Sequence, residues 1–402
     1  MTGTARQRNR RNRGARRDLR VLLAPCGFKE GLTVSELIEC MARGVKAAAP
    51  DAQILRAPMV DGGEGFTQVI TELTGGQLHT VSVTGPVGQR LRAHIGQLGG
   101  VHAGTAVIEI AAAAGLRHVP LDRRDPLRTT SYGVGELIGA TLDLGADRLL
   151  IGCGDSGVND GGAGLAEALG IRLLDRRGRQ ISRGGRALAR LVEIDLSARD
   201  PRLDRVQIDV AVNWNNMLLG HRGVARLFGP QKGASPAAIA ELERGLANLA
   251  TVIRRDLGLQ VRNMSGAGAS GGLGAGLHAF IGARLYPRFE VLTRFLDFDG
   301  LLERADLVLT AEGSIDRLTP TGKLPAKVAQ RAKLRGVPVV ALVGSVGQGA
   351  QATHAIGIDA YFSILNRPYS LAEAMSYAPE LVVEATEQAV RLALLNCRRQ
   401  QT

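Results

Sequence analysis

The sequence predicts an α/β protein of two domains, the first assembled from both ends of the chain and the second inserted into it. Three observations carry this. Short apolar runs alternate with helix-periodic stretches at both ends, the pattern of βαβ units and a parallel sheet. The middle mixes strand-like alternation with helices, which suits a second, mixed α/β domain. At 402 residues and 45% hydrophobic content, the chain is long enough to bury two cores. The expected division is a basic arm over 1–18, a discontinuous α/β domain over 19–77 and 285–398, and an inserted domain over 78–284.

The elements follow in order. Residues 1–20 hold eight arginines against one aspartate, +7 of the chain's +12. Such a block without apolar periodicity reads as a disordered, solvated arm in preference to a nucleic-acid contact. From Arg20, "RVLLAP" reads as a buried strand. Thr33 then opens T-V-S-E, a capping-box spacing with Glu36, and Val34, Leu37, Ile38, Met41 and Val45 give one apolar helix face. "AQILRAPMV" returns as a second strand and closes a βαβ unit. In the middle, "HTVSVTG", "LRAHIGQL" and "VQIDVAVN" alternate as strands, while "SYGVGELIGATLDLG" and "PAAIAELERGLANLATVIRRDLG" read as helices. Near the end, "DLVLT" and "VPVVALVG" are strands about the helix "LPAKVAQRAKLRG", and "PELVVEATEQAVRLALLN" is a closing helix.

Composition narrows the function. No run approaches the ~18 apolar residues of a membrane span, and no leader pattern precedes the first strand. Cys26, Cys40, Cys153 and Cys397 show no metal-like spacing, so a reduced, cytoplasmic setting is expected. The seven histidines show no paired spacing. "GDSGV" lacks the second glycine of a nucleophile elbow, Val158 standing in its place.

Four polar clusters each follow an apparent strand: "CGFKEG" (26–31), "DGGEG" (61–65), "GCGDSGVNDGG" (152–162) and "AEGSID" (311–316). Ligands of open α/β sheets bind at the carboxyl ends of strands, so four such clusters imply one converging site, expected at the domain junction. A fifth segment, "GAGASGGLGAG" (266–276), has the composition of an anion-binding nest, and "FGPQKGAS" adds Lys232 on a loop before a helix. Close packing of the glycines is the competing reading of that segment. Asp61, Glu64, Asp155, Asp160, Glu312 and Asp316 bring several negative charges that a cation or the lysines Lys29, Lys232 and Lys323 must offset. Oxygen ligands without a His or Cys cluster favour Mg²⁺, and the whole set is that of phosphoryl transfer. Asp155 and Asp316 are the acids most readily explained as local caps, and the glycine-flanked Asp61, Glu64 and Asp160 the least.

"APCGFKEGLTVSE", "PMVDGGEGF", "NDGGAGLAEALG", "FGPQKGAS", "GAGASGGLGAGL" and "AEGSIDRLTPTGK" together resemble the type-1 glycerate kinases in order and spacing, from about Arg20 to about Pro379. The resemblance implies a flavodoxin-like domain built from both termini with an inserted α/β domain. It also implies an ATP- and Mg²⁺-dependent kinase of D-glycerate, usually acting at the 2-hydroxyl. Kinases of other small hydroxy acids, or a catalytically impaired nucleotide-binding relative, are the alternatives. The chain departs from the family pattern at Cys26 and Gly27 in the first loop, at Val158, at Asn213 and Met217, at Ala311 and at Leu318. Two anions usual in the family, at positions 26 and 213, are thereby absent.

The expected roles are as follows. Gly266, Gly268, Gly271 and Gly272 with Lys232 and Lys323 hold the nucleotide phosphates, and Lys29 binds the transferred phosphoryl or the substrate carboxylate. Asp61, Glu64 and Glu312 hold Mg²⁺ directly or through water. Asp160 faces the acceptor hydroxyl as base or orienting group, with Asn159 and Ser156 bonding the hydroxy acid. Small-molecule substrate, no membrane and a monomer or homodimer complete the expectation.

Overall fold

The computed structural model describes residues 18–28 and 31–399. Lys29 and nearly all of the basic arm expected over 1–18 lie outside the described residues. In chain order the strands among the described residues are β1 (Arg20–Leu23), β2 (Gln53–Arg56), β3 (Gln77–Thr84), β4 (Arg90–Gln97), β5 (Thr105–Glu109), β6 (Arg148–Cys153), β7 (Arg172–Leu174), β8 (Glu193–Asp195), β9 (Gln207–Val212), β10 (Arg284–Pro287), β11 (Leu307–Ile315), β12 (Val339–Val346) and β13 (Ala360–Ser363).

The chain forms two compact units, one from the residues up to Pro58 with those from Phe298 onward, the other from Met59–Asp297. The boundaries therefore fall before the helix Phe66–Leu73 and after the helix Arg288–Phe295, not at 77/78 and 284/285 as the sequence reading placed them. The reason is packing. Phe66 and Ile70 are fully buried, Glu109 of β5 bonds the helix N-terminus, and Arg288 pairs with Asp61. The "DGGEG" loop thus belongs with the inserted unit.

The terminal unit is a five-stranded parallel sheet in the order β13-β12-β11-β1-β2. Renumbered within the unit this is 2-1-3-4-5 from the β2 edge, the flavodoxin-like winding, with its switch point between β1 and β11. Val21, Leu22 and Leu23 are wholly inaccessible, as a strand covered on both faces requires. The helix Val34–Ala48 starts at the expected box: Thr33 N–H donates to Glu36 Oε2 at 2.9 Å, and Glu36 N–H to Thr33 Oγ1 at 3.2 Å. β11 outlasts its expected five residues and carries Glu312 within the strand, so "AEGSID" does not follow the strand but largely forms its last part.

The inserted unit centres on a six-stranded mixed sheet in the order β10-β9-β6-β5-β4-β3. The four strands from β10 to β5 are parallel, and β4 and β3 add an antiparallel edge. Its core gathers Ile108, Ile151, Val210, Leu246, Leu273 and Phe280 from the sheet and from the helices Pro236–Leu257 and Ala269–Ile281. Ser235 caps the first of these, accepting from Ala238 N–H at 3.2 Å, with Pro236 at its first turn.

Candidate functional site

β6 ends at Cys153, and the chain leaves its carboxyl edge as the glycine-rich loop before the helix Ala163–Ala168. That loop is tied down on three sides within the inserted unit. Gly157 N–H donates to Ala114 O at 2.8 Å and Leu116 N–H to Asp155 O at 2.9 Å, which staples it to the segment after β5. Glu64 N–H donates to Asp155 Oδ2 at 3.2 Å, which joins the "DGGEG" loop to it. Gly161 N–H donates to Gly271 O at 3.1 Å, which brings in the second glycine segment. Asp155 adopts the left-handed region at φ 48°, uncommon for a residue with a side chain.

The glycines serve this convergence. A Cβ on Gly271, whose φ is +76°, would stand 2.0 Å from Val158 O, and one on Gly276 would stand 2.3 Å from Gly161 O. Ser270, Gly271 and Gly272 run successively left-handed and kink the helix Ala269–Ile281 at its start. Gly268 lies against Met217, and Gly266 against Val212. The glycine-rich composition of 266–276 is accounted for by close backbone packing, the competing reading, before any phosphate is invoked.

Lys232 lies beneath the loop, 3% exposed. Its Nζ donates to Val158 O at 2.7 Å, Ser156 Oγ at 3.1 Å and Asn159 Oδ1 at 3.2 Å. Three acceptors match the three protons of an ammonium. Burial pushes its pKa down to about 7, against the upward pull of Asp160 and Cys153. In this position Lys232 binds the loop and is not presented to solvent phosphate. Asn159 is wholly buried, and with Oδ1 held by Lys232 its Nδ2 has no hydrogen-bond partner among the described residues.

Asp160 takes a different place from the expected one. It is wholly buried and its carboxylate accepts four bonds: from Ser131 N–H at 2.8 Å, Ser131 Oγ–H at 2.9 Å, and Gly162 and Gly164 N–H at 3.2 Å each. Burial raises its pKa, with the Ser131, Gly162 and Gly164 donors opposing. Asp160 therefore caps the helix Ala163–Ala168 and ties it to Ser131, instead of facing an acceptor hydroxyl.

Of the expected metal ligands, Asp61 and Glu64 of the inserted unit each have a guanidinium partner. Asp61 accepts Gly63 N–H at 3.1 Å and pairs with Arg288 at 3.1 Å, while Glu64 pairs with Arg117 at 3.4 Å. Glu312 is in the terminal unit. Among the described residues no group of three or more His, Cys, Asp or Glu side chains could hold a metal ion. Carboxylates engaged by guanidinium groups do not fit an all-protein Mg²⁺ cage.

In the terminal unit, Lys323 precedes the helix Leu324–Lys333, its Nζ donating to Ser314 O at 2.9 Å and standing 4.0 Å from Asp316 Oδ2. Asp316 accepts from Leu318 N–H at 2.7 Å and Thr319 N–H at 3.1 Å, a local cap as its setting suggests.

Sequence reasoning missed Glu109, Arg117, Arg288 and Ser131. Glu109 ends the apolar strand β5, is 5% exposed, and accepts from Gly65 N–H at 3.2 Å and Thr67 N–H at 3.0 Å. Burial pushes its carboxyl up to about 7, against those two donors. A lone acid closing a buried strand was the available signal.

A model of the glycerate kinase family matches residues 21–394. A glycerate kinase of Halalkalibacterium halodurans is 44% identical over 365 residues, 91% of this chain and 96% of that one. A glycerate 2-kinase of Escherichia coli K12 is 42% identical over 377 residues, 94% of this chain and 98% of that one. A crystal structure from Salmonella typhimurium LT2, assigned as a glycerate kinase 2, superposes with a TM-score of 0.77 at 40% identity, covering 96% of this chain and 100% of that chain.

Proposed function

The chain belongs to the glycerate kinase family, and from that premise we propose that it transfers the γ-phosphoryl group of ATP to the 2-hydroxyl of D-glycerate. The observation that carries this reading is the loop 152–162, held by Lys232 at the carboxyl edge of β6, in a chain 42% identical to a glycerate 2-kinase over 94% of this chain and 98% of that one. Phosphoryl transfer needs positioning and charge neutralisation more than covalent participation, and a loop fixed on three sides supplies the first.

In this reading Ser156 and Asn159 bond the hydroxy acid. Lys232 fixes the orientation of the Asn159 amide by taking its oxygen, which leaves Nδ2 as a donor for a ligand oxygen. Asp160 acts through the helix it caps and through Ser131, as a positioning residue. Lys29 is assigned to the transferred phosphoryl and Lys323, also of the terminal unit, to the remaining phosphates. Mg²⁺ would accompany the nucleotide and shield its phosphates, held mainly by phosphate oxygens and water. No helix among the described residues is long and apolar enough to cross a membrane. We place the reaction in the cytoplasm, where its nucleotide and hydroxy-acid substrates meet. Phosphorus NMR of the product tests the acceptor: a phosphate on C2 agrees, and a phosphate on C3 contradicts the assignment.

A further inference from the structure

Glycerate carries a carboxylate beside its hydroxyls, and a site that selects it must answer that charge. In the inserted unit Lys232, Arg288 and Arg117 each contact a residue of the loops 61–65 or 152–162. Lys232 is buried, with three acceptors for its three protons. Arg288 has a side chain 16% exposed and pairs with Asp61 at 3.1 Å, so it holds that loop to its own helix. Arg117 differs from both. Its side chain is 50% exposed, and among the described residues its one ion pair, to Glu64, is long at 3.4 Å. Among the described residues its Nη2 makes no hydrogen bond.

Its place is as telling as its exposure. The residue before it, Leu116, donates its N–H to Asp155 O at 2.9 Å, and Gly115 bridges Ser156. Arg117 therefore leaves the backbone one residue beyond a direct tie to the loop that presents Ser156 and Asn159. Glu64 is anchored to the same loop through Asp155 Oδ2 at 3.2 Å. On the other side, Arg117 Nε donates to His118 Nε2 at 3.3 Å. Burial, with Arg117 next, lowers the pKa of His118, and since a guanidinium only donates, Nε2 is the acceptor.

We propose that Arg117 receives the carboxylate of the hydroxy-acid substrate, with Glu64 occupying the guanidinium until the substrate displaces it. This rests on the glycerate reading above. A guanidinium offers a planar fork that pairs two-to-two with a carboxylate, which the single contact to Glu64 does not use. The arrangement also gives discrimination: a neutral analogue cannot repay the broken Arg117–Glu64 pair, whereas a carboxylate replaces it. The contact to His118 and the backbone tie at Leu116 limit the positions the guanidinium can take.

The test is steady-state kinetics on the full chain with D-glycerate and, as the neutral probe, glyceramide. Arg117→Gln raises KM for D-glycerate about ten- to a hundredfold, the usual effect of losing a charge-assisted hydrogen bond. KM for ATP stays near the wild-type value, and the preference for glycerate over glyceramide collapses. Arg117→Lys keeps the charge without the fork and falls between. If the wild type turns over D-glycerate while Arg117→Gln keeps both its KM within about twofold and its preference over glyceramide, the assignment is wrong. A wild-type protein inert toward D-glycerate overturns the glycerate reading and this assignment with it. A rise in KM for ATP equal to that for glycerate would mark general damage to the site and also overturns it.

Discussion

Ser131 gives both its backbone N–H, at 2.8 Å, and its hydroxyl, at 2.9 Å, to one carboxylate oxygen of Asp160. The two residues join the start of the helix Tyr132–Asp143 to the start of Ala163–Ala168. Every donor around Asp160 expects an acceptor. In Asp160→Asn one acceptor becomes an amide N–H facing a donor, at a cost of roughly 1–3 kcal/mol. The melting temperature should fall, and any loss of kcat should accompany that fall. A kcat lowered about a hundredfold or more with unchanged melting would make Asp160 the base and contradict the cap.

Lys232 is predicted to be structural before it is anything else. Lys232→Met leaves Ser156 Oγ, Val158 O and Asn159 Oδ1 without their donor and Asp160 without a nearby buried countercharge. Breaking a buried polar tie of this kind costs roughly 3–5 kcal/mol. Urea denaturation reads the loss directly. A variant as stable as wild type, but with weakened ATP binding, would return Lys232 to the phosphates.

Glu109 sets a pH dependence. Its folded pKa is raised to about 7 from 4.5, so between those values the folded chain retains a proton that the unfolded chain has released. Stability from this group therefore falls as pH rises from about 4.5 through about 7, by roughly 1–3 kcal/mol in all. Glu109→Gln should flatten that part of the profile of melting temperature against pH. An unchanged slope would mean that Glu109 does not titrate in this window.

Gly271→Ala should cost both stability and activity, because the new methyl meets Val158 O at 2.0 Å in a left-handed backbone. Gly178→Ala shares the positive φ of +67° but meets nothing within 4 Å, so it pays only about 1–2 kcal/mol of backbone strain. The comparison by thermal melting and turnover separates crowding from conformation. Equal effects would show that the packing of the two glycine segments is not tight.

The parallel strands β1 and β12 are legible because a strand covered on both faces must be apolar, as at Val21–Leu23, and β2 is legible from its place closing the βαβ unit. The box at Thr33 and Glu36 was legible because its chemistry is local. β11 was read short because polar Glu312 and Ser314 break the apolar run at its exposed end. The site's loops were found from their glycines, but the use of those glycines was not, since a chain that packs on itself and one that cradles an anion both require small residues. Asp160 reads as a base or orienting group because its partner Ser131 is 29 positions away, and Arg117 gives no signal because its partner Glu64 is 53 positions away. Contacts of that range leave no periodic mark.

The central claim is that this chain phosphorylates D-glycerate at the expense of ATP. Steady-state ADP release, measured on the purified full chain with Mg²⁺·ATP and a panel of small hydroxy acids, tests it most directly. The account predicts saturable, D-glycerate-dependent ADP release, with kcat/KM for D-glycerate well above that for L-glycerate, lactate and the other acids. No release with D-glycerate, alongside turnover of a different hydroxy acid, would contradict it.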